Sequence, residues 1–296
     1  MRFGNFHGHK TAILQNQFFR IECLAEAGPR IVSLIPAWTG ENLFAEVPEV
    51  TTQTSSGEYH YFGGHRFWLA PESLSSTYIP DNNGLSVHTV QKGLRLVGAK
   101  EEETGLQKTI MIQTSSTQPF VIVKHEVENH SREVVRLAPW AITMLRTQGS
   151  AVLPQQYGNM DSDGLLPNRR FALWPYTRWE DPRLRLGDEF ILIKSDSTEQ
   201  PMKFGYFNPH GWLAYVHGDV FFLKRYGVRS DEEYPDYGCN SEVYVNFRGI
   251  ELESLGPLAE LAPRQKLVHT ETWEVYKEAE VPKEILRGRS LKELLS

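Results

Sequence analysis

Apolar and polar residues alternate along short stretches of this chain, and most stretches are closed by Gly, Pro, Asn or Asp. A period of two puts successive side chains on opposite faces, as in a half-buried β-strand. Phe18 to Leu24 alternates in this way, Arg30 to Ile35 follows a Gly28-Pro29 turn, and Leu106 to Gln113 with Phe120 to Glu128 reads as a hairpin. Further runs are Val134 to Leu145, Phe190 to Lys194, Trp212 to Val216, Val220 to Tyr226, Glu242 to Phe247, Ile250 to Leu255 and His269 to Tyr276. They are rich in β-branched and aromatic residues, which suit a pleated surface. Eleven such runs without a long helical pattern predict an all-β fold, a sandwich of antiparallel sheets.

Two intervening segments, Phe44 to Asp81 and Tyr157 to Gly187, read as long loops. They carry Trp68, Trp174 and Trp179, a poor composition for disorder, so they are expected to fold over something. No shift in composition precedes Val281, which predicts a single domain over residues 1–280. Pro282 then opens a tail, 281–296, in which Leu291, Leu294 and Leu295 suggest one short helix.

A formal net charge of -6 with scattered Lys and Arg offers no basic stripe for a phosphate backbone, so nucleic acid is not an expected partner. Two cysteines, Cys23 and Cys239, are too few for a disulfide framework and fit a reducing compartment. The first residues lack the apolar core of a signal peptide, and no window approaches the ~20 apolar residues of a membrane span. A cytoplasmic location without membrane contact is the expectation; oligomeric state stays open. Among ten histidines, His7 with His9 and His60 with His65 are the close pairs, and neither stands in a ligand pattern, so no metal is expected. The chain also lacks Gly-x-Gly-x-x-Gly, a Walker A run and a Gly-x-Ser-x-Gly elbow, so no cofactor is expected.

Candidate chemistry lies in four places. In Ile250-Glu251-Leu252-Glu253-Ser254, two carboxylates share one strand face, which suits either a general base or a solvated sheet surface. Gly63-Gly64-His65-Arg66-Phe67-Trp68 sets an imidazole, a guanidinium and an indole behind flexible backbone. Arg66 can fork hydrogen bonds to a ligand or pair with Glu72, and His65 can donate a proton. Trp174 to Arg183 packs two indoles with charges, of which Arg178 and Trp179 are candidate ligand contacts. Asp236, in the turn-rich Tyr234 to Asn240, and Lys224, in Phe221 to Arg225, are further binding candidates, against the plain preference of Asp and Asn for turns.

The order of these segments resembles the galactose mutarotase-like (aldose 1-epimerase) superfamily. Phe19 to Leu34 is similar to its opening pair of strands around a Gly turn, followed by Gly40-Glu41-Asn42-Leu43-Phe44; Gly63 to Trp68 matches a site loop in position, and Ile250 to Ser254 looks like the strand that presents its catalytic glutamate. The resemblance covers roughly residues 10 to 277 and implies a β-supersandwich with a sugar site in the concave face of one sheet. It implies Glu253 as the base that takes the anomeric proton, with Glu251 as its understudy, and Asp236 as an acceptor of sugar hydroxyls. One departure stands out. Where the superfamily has a general-acid histidine on a central strand, this sequence has Trp140, whose indole does not titrate near neutral pH. The sequence therefore leaves an epimerase acting on a free sugar beside a sugar-binding or sensing module without the usual acid, with a glycan-cleaving enzyme as a third option.

Overall fold

The computed structural model describes residues 1–295 and has the all-β architecture that the alternation predicts. Two large antiparallel sheets face each other. The first, of 12 strands, runs in the order Arg2–Phe6, His9–Gln15, Phe19–Leu24, Arg30–Pro36, Gly57–Ala70, Val135–Leu145, Gly249–Leu255, Ser241–Asn246, Met202–Tyr206, Phe171–Leu173, with Glu46–Thr54 and Ala259–Leu261 paired at its side. The second, of 10 strands, runs Leu184–Leu186, Phe190–Lys194, Ser150–Pro154, Trp212–His217, Val220–Tyr226, Lys266–Lys277, Phe120–Asn129, Leu106–Thr114, Gly93–Lys100, Ser86–Val90. The main apolar core lies between them and takes one side of every central strand, for example Phe67, Leu145, Ile250 and Leu252 from the first sheet with Val123, Phe222 and Trp273 from the second. No helix among the described residues is long and apolar enough to cross a membrane.

The segment Phe44 to Asp81 is not a long loop. Most of it is a hairpin, Glu46–Thr54 against Gly57–Ala70, and the 14-residue second strand is central to the first sheet. The sequence disguises it because Gly63 and Gly64 interrupt the alternation. Both have positive φ (86° and 62°), and a Cβ there would stand 2.0 Å from the Ala45 carbonyl oxygen and 2.2 Å from that of Ile31. The strand therefore passes against backbone on two sides where only glycine fits. Tyr157 to Gly187 is mostly irregular, with two three-residue strands, Phe171–Leu173 and Leu184–Leu186.

The C-terminal residues cover the outer face of the second sheet. Ile285, Leu286, Leu291 and Leu294 pack on Val152, Phe190, Trp212, Phe221 and Leu223, and the helix Leu291–Leu295 lies within this cover. The outer face of the first sheet has no such cover over its central strands. It carries a small cluster of its own, Trp68, Ala70, Trp140, Ile142 and Leu255 with Tyr59, and it forms the floor of a cleft.

Candidate functional site

Strand register determines which side chains meet on that floor. In one row Arg66, Ile142, Glu253 and Glu242 stand abreast on neighbouring strands; in the next come Gly64, Met144, Glu251, Tyr244 and Lys203. Trp68, Trp140 and Leu255 form the third row. These residues share one face because each row is two positions from the next along its strand. The cleft above them has a volume of about 580 Å³, inside the ~300–1,000 Å³ common for small-molecule sites. Tyr78, Trp174 and Tyr176 wall it from the connecting segments.

The charges are paired across the rows. Arg66 grips Glu251 with both terminal nitrogens, 2.9 and 3.1 Å from the two carboxylate oxygens, and lies 4.2 Å from the centroid of Trp68. The fork fixes both partners, and Glu251, not Glu72, is its acceptor. Glu72 instead accepts from the Tyr78 hydroxyl at the rim. Lys203 Nζ sits 2.9 Å from Glu253 Oε2 and 2.7 Å from Glu242 Oε2, between the indoles of Trp140 and Trp174 at 4.5 and 4.6 Å from their centroids. Trp140 Nε1–H donates to Glu253 Oε2 at 2.7 Å. Both hydrogen bonds to Glu253 thus end on one oxygen, and Oε1 of this cleft-lining residue accepts none.

Burial dominates the acid–base properties here. Glu253 is 1% exposed, and its loss of water raises the carboxyl above the usual range; Lys203 offsets this in part and Glu251 adds to it. Glu242, fully buried, is pushed up further for the same reason, and neither of its oxygens has a well-aligned hydrogen bond. The two carboxyls share one ammonium, so their protons are linked. Burial alone would lower Lys203, yet Glu242 and Glu253 outweigh it and hold the ammonium charged.

Of the residues singled out from sequence, Glu251, Glu253, Arg66, Trp68, Glu72 and Trp140 line this cleft. Asp236 lines an adjoining hollow of about 400 Å³ that shares Glu72, Tyr78, Trp140, Trp174 and Lys203 with it. Arg178 and Trp179 are exposed outside it, Trp179 at 81%, and Trp174 and Tyr176 of the same segment face the cleft instead. His65 and Lys224 do not reach it. Residue 65 alternates with Arg66, so the imidazole points to the interior between the sheets; Lys224 rises from the second sheet into the same layer. Lys203, Glu242 and Tyr244 went unnoticed in the sequence, whereas Trp174 belongs to the indole-rich segment from which a ligand contact was expected. The available signal was a single charge inside each of two apolar strands, Met202-Lys203-Phe204 and Ser241-Glu242-Val243.

The interior layer is a second cluster of polar groups, closed on itself. Lys224 Nζ lies 2.8 Å from Glu271 Oε1 and from the Ala141 carbonyl, 2.9 Å from the Leu252 carbonyl, and 3.1 Å from Thr143 Oγ1. Thr143 Oγ1 meets His65 Nδ1 at 2.9 Å, and His65 Nε2 meets His125 Nε2 at 2.7 Å. His125 Nδ1 faces the His269 carbonyl at 3.1 Å, where only a donor is useful. His125 Nε2 is therefore the acceptor, His65 Nε2 the donor, and Thr143 donates to His65 Nδ1. Burial pushes His125 down to about 4 and His269 down to about 3, with His65 also well below its ordinary value, so all three are neutral near pH 7. His65, His125 and Glu271 have the atom types of a metal site, with donor atoms within 4.8 Å of one another. Each is already committed, however: the two facing nitrogens to one another, and the carboxylate to Lys224, Ser254 and Trp273. We read this layer as structural.

A two-sheet sandwich with an aromatic, acid-lined cleft on the outer face of one sheet defines the class. The chain has the galactose mutarotase-like fold. It superposes on a candidate aldose 1-epimerase from Klebsiella pneumoniae with a TM-score of 0.63 at 10% identity, over 97% of this chain and 85% of the other. A galactose mutarotase-like protein from Lactobacillus casei gives 0.54 at 11% identity, over 90% of this chain and 100% of the other. A TPR-domain containing protein from Parabacteroides distasonis gives 0.61 at 12% identity; there the likeness covers 90% of this chain and about half, 47%, of the other. No protein-family model and no curated protein matches the sequence. At such identities the likeness concerns the fold.

Proposed function

We propose that this protein binds a free sugar in the cleft and that Glu253 is the base that takes the proton of the anomeric hydroxyl. In that step C1–O1 becomes a carbonyl, the C1–O5 bond breaks, and the ring oxygen takes up a proton from water or a cleft phenol; rotation and reclosure, with the protons returned, give the other anomer. The carrying observation is the disposition of Glu253: one carboxylate oxygen fixed by Trp140 and Lys203, the other without a hydrogen bond, on a residue that lines the cleft with three indoles. A carboxylate raised toward neutral pH by burial is a stronger proton acceptor, and indole faces cover the C–H face of a pyranose. The mutarotase-like fold supports the same reading. The two free, buried thiols, Cys23 and Cys239, fit a protein of the reducing cytoplasm.

One observation favours a second reading, a sugar-binding or sensing module without proton transfer. No histidine lines the cleft among the described residues. The proton donors present are phenols and the Lys203 ammonium; burial raises Tyr78, Tyr176 and Tyr244, and Lys203 is held charged by its carboxylates, so all are weak acids. Proton NMR of freshly dissolved α-glucose and α-galactose separates the two. Faster anomer exchange with wild type, lost in Glu253→Gln while saturable binding persists, supports the base. Saturable binding with no acceleration in either protein supports the module, and neither effect with any sugar removes both.

A further inference from the structure

The acidic cleft is not the largest hollow of the molecule. A longer depression of about 1120 Å³ runs beside it, lined by the turn Tyr234 to Gly238 and by residues 167–170. The hollows adjoin one another through shared lining residues. Trp140, Trp174 and Lys203, which surround Glu253, also line the 400 Å³ recess next door, and that recess shares Pro71 and Asp236 with the long depression. We propose that this groove holds further units of an oligosaccharide whose reducing-end ring occupies the cleft. The inference rests on the sugar-binding reading and names its ligand class.

Three features carry it. Asp236, Tyr237 and Gly238 lie in succession at positive φ (50°, 60° and 89°), a conformation that two of them adopt at a cost and that turns the Tyr237 ring outward, 88% exposed. Arg170 packs on Gly238 so closely that a Cβ there would stand 2.0 Å from its Nη2, and the Cys239 N–H closes the turn on the Pro235 carbonyl at 2.8 Å. An exposed aromatic plate on a constrained turn is a stacking platform for a sugar ring. The charges complete the match. Of the groove's charged residues, Arg170, Glu232 and Asp236 have no ion-pair partner among the described residues, one cation against two acids, so the groove offers hydrogen bonds to a neutral polyol and no field for a polyanion.

The test is binding and anomer exchange along two length series, glucose to maltotriose and glucose to cellotriose, with wild type and Tyr237→Asn. Asparagine tolerates positive φ, so the turn is kept while the ring is removed. The expected result is that in at least one series the trisaccharide binds on the order of 10-fold tighter than glucose, and that the variant loses this gain while its affinity for glucose is unchanged. Glucose binding with no gain in either series, or a gain that Tyr237→Asn retains, overturns the groove and leaves the cleft intact. Absence of binding by every member overturns the groove together with the reading beneath it.

Discussion

The two faces of the central strands of the first sheet offer an instructive contrast, because both carry buried acids and bases. Toward the interior stand His65, Thr143 and Ser254, tied to Lys224, His125, His269 and Glu271 of the second sheet; toward the outside stand Arg66, Trp140, Glu251 and Glu253. By residue type the interior is the more suggestive of catalysis, with three imidazoles and a lysine. Its groups, though, satisfy one another, and none of them lines the cleft or the hollows beside it. On the outer face the pairing is less complete: Glu253 Oε1 accepts no hydrogen bond, Arg66 Nε has no partner among the described residues, and Glu242 shares the single ammonium of Lys203 with Glu253. Buried polar groups left unsatisfied are costly, which sets this face apart from the interior one.

The contrast can be broken most severely from the interior. Lys224→Met leaves the fully buried Glu271 carboxylate without its cation and frees the carbonyls of Ala141 and Leu252, with an expected loss of roughly 3–5 kcal/mol in a urea titration. A second change, Glu271→Gln, in the same chain should recover part of that loss. On the outer face the expected outcome is the reverse. Glu253→Gln removes a carboxylate that burial already disfavours, so stability holds or rises, while anomer exchange falls by about 10²–10⁴-fold. Loss of stability comparable to that of Lys224→Met would show Glu253 to be structural.

Titration sharpens the difference, since the two faces respond to pH with opposite sign. His125 and His269, with folded values of about 4 and about 3 against an ordinary 6.5, bind protons more readily when unfolded. Their contribution to stability is complete above about pH 6.5 and is lost as pH falls through the folded values. Glu242 and Glu253 are raised by burial, so the folded chain holds their protons more tightly; what they contribute is complete below the ordinary carboxylate value, 4.5, and is lost as pH rises through the folded values. Thermal melts should therefore show an acid limb flattened by His125→Gln and a decline toward alkaline pH flattened by Glu242→Gln. The smallest effect expected is that of Trp179→Ala. An indole that is 81% exposed and off the cleft should change stability by no more than roughly 0.5 kcal/mol and leave sugar affinity as it is.

Much of this was legible in the sequence because a strand has a fixed period. The alternation Ile250-Glu251-Leu252-Glu253 placed both carboxylates on one face, and the indoles of Trp68 and Trp140 lie on the same floor. The same period, applied to residues 57–70, separates His65 from Arg66. It was hidden there by Gly63-Gly64, which reads as a flexible loop and is instead a close crossing of backbone. Lys224 was misplaced for a different reason: which sheet a strand joins, and so which layer its charge enters, depends on long-range pairing that no local pattern carries. Glu242 and Lys203 became visible only through register: Glu242 stands opposite Glu253 across the short hairpin that joins Ser241–Asn246 to Gly249–Leu255, and Lys203 stands opposite Tyr244 on a strand from an earlier part of the chain.

Two indole N–H groups report on the two faces separately, since Trp140 donates to Glu253 and Trp273 donates to Glu271. A nitrogen–proton correlation spectrum of the full chain, titrated with glucose, galactose and maltotriose, is the most direct test of where a sugar sits. The account predicts a saturable shift of the Trp140 indole resonance, with that of Trp273 stationary. Binding that moves Trp273 and leaves Trp140 unmoved, or a Trp140 resonance unchanged at saturating sugar, would contradict it.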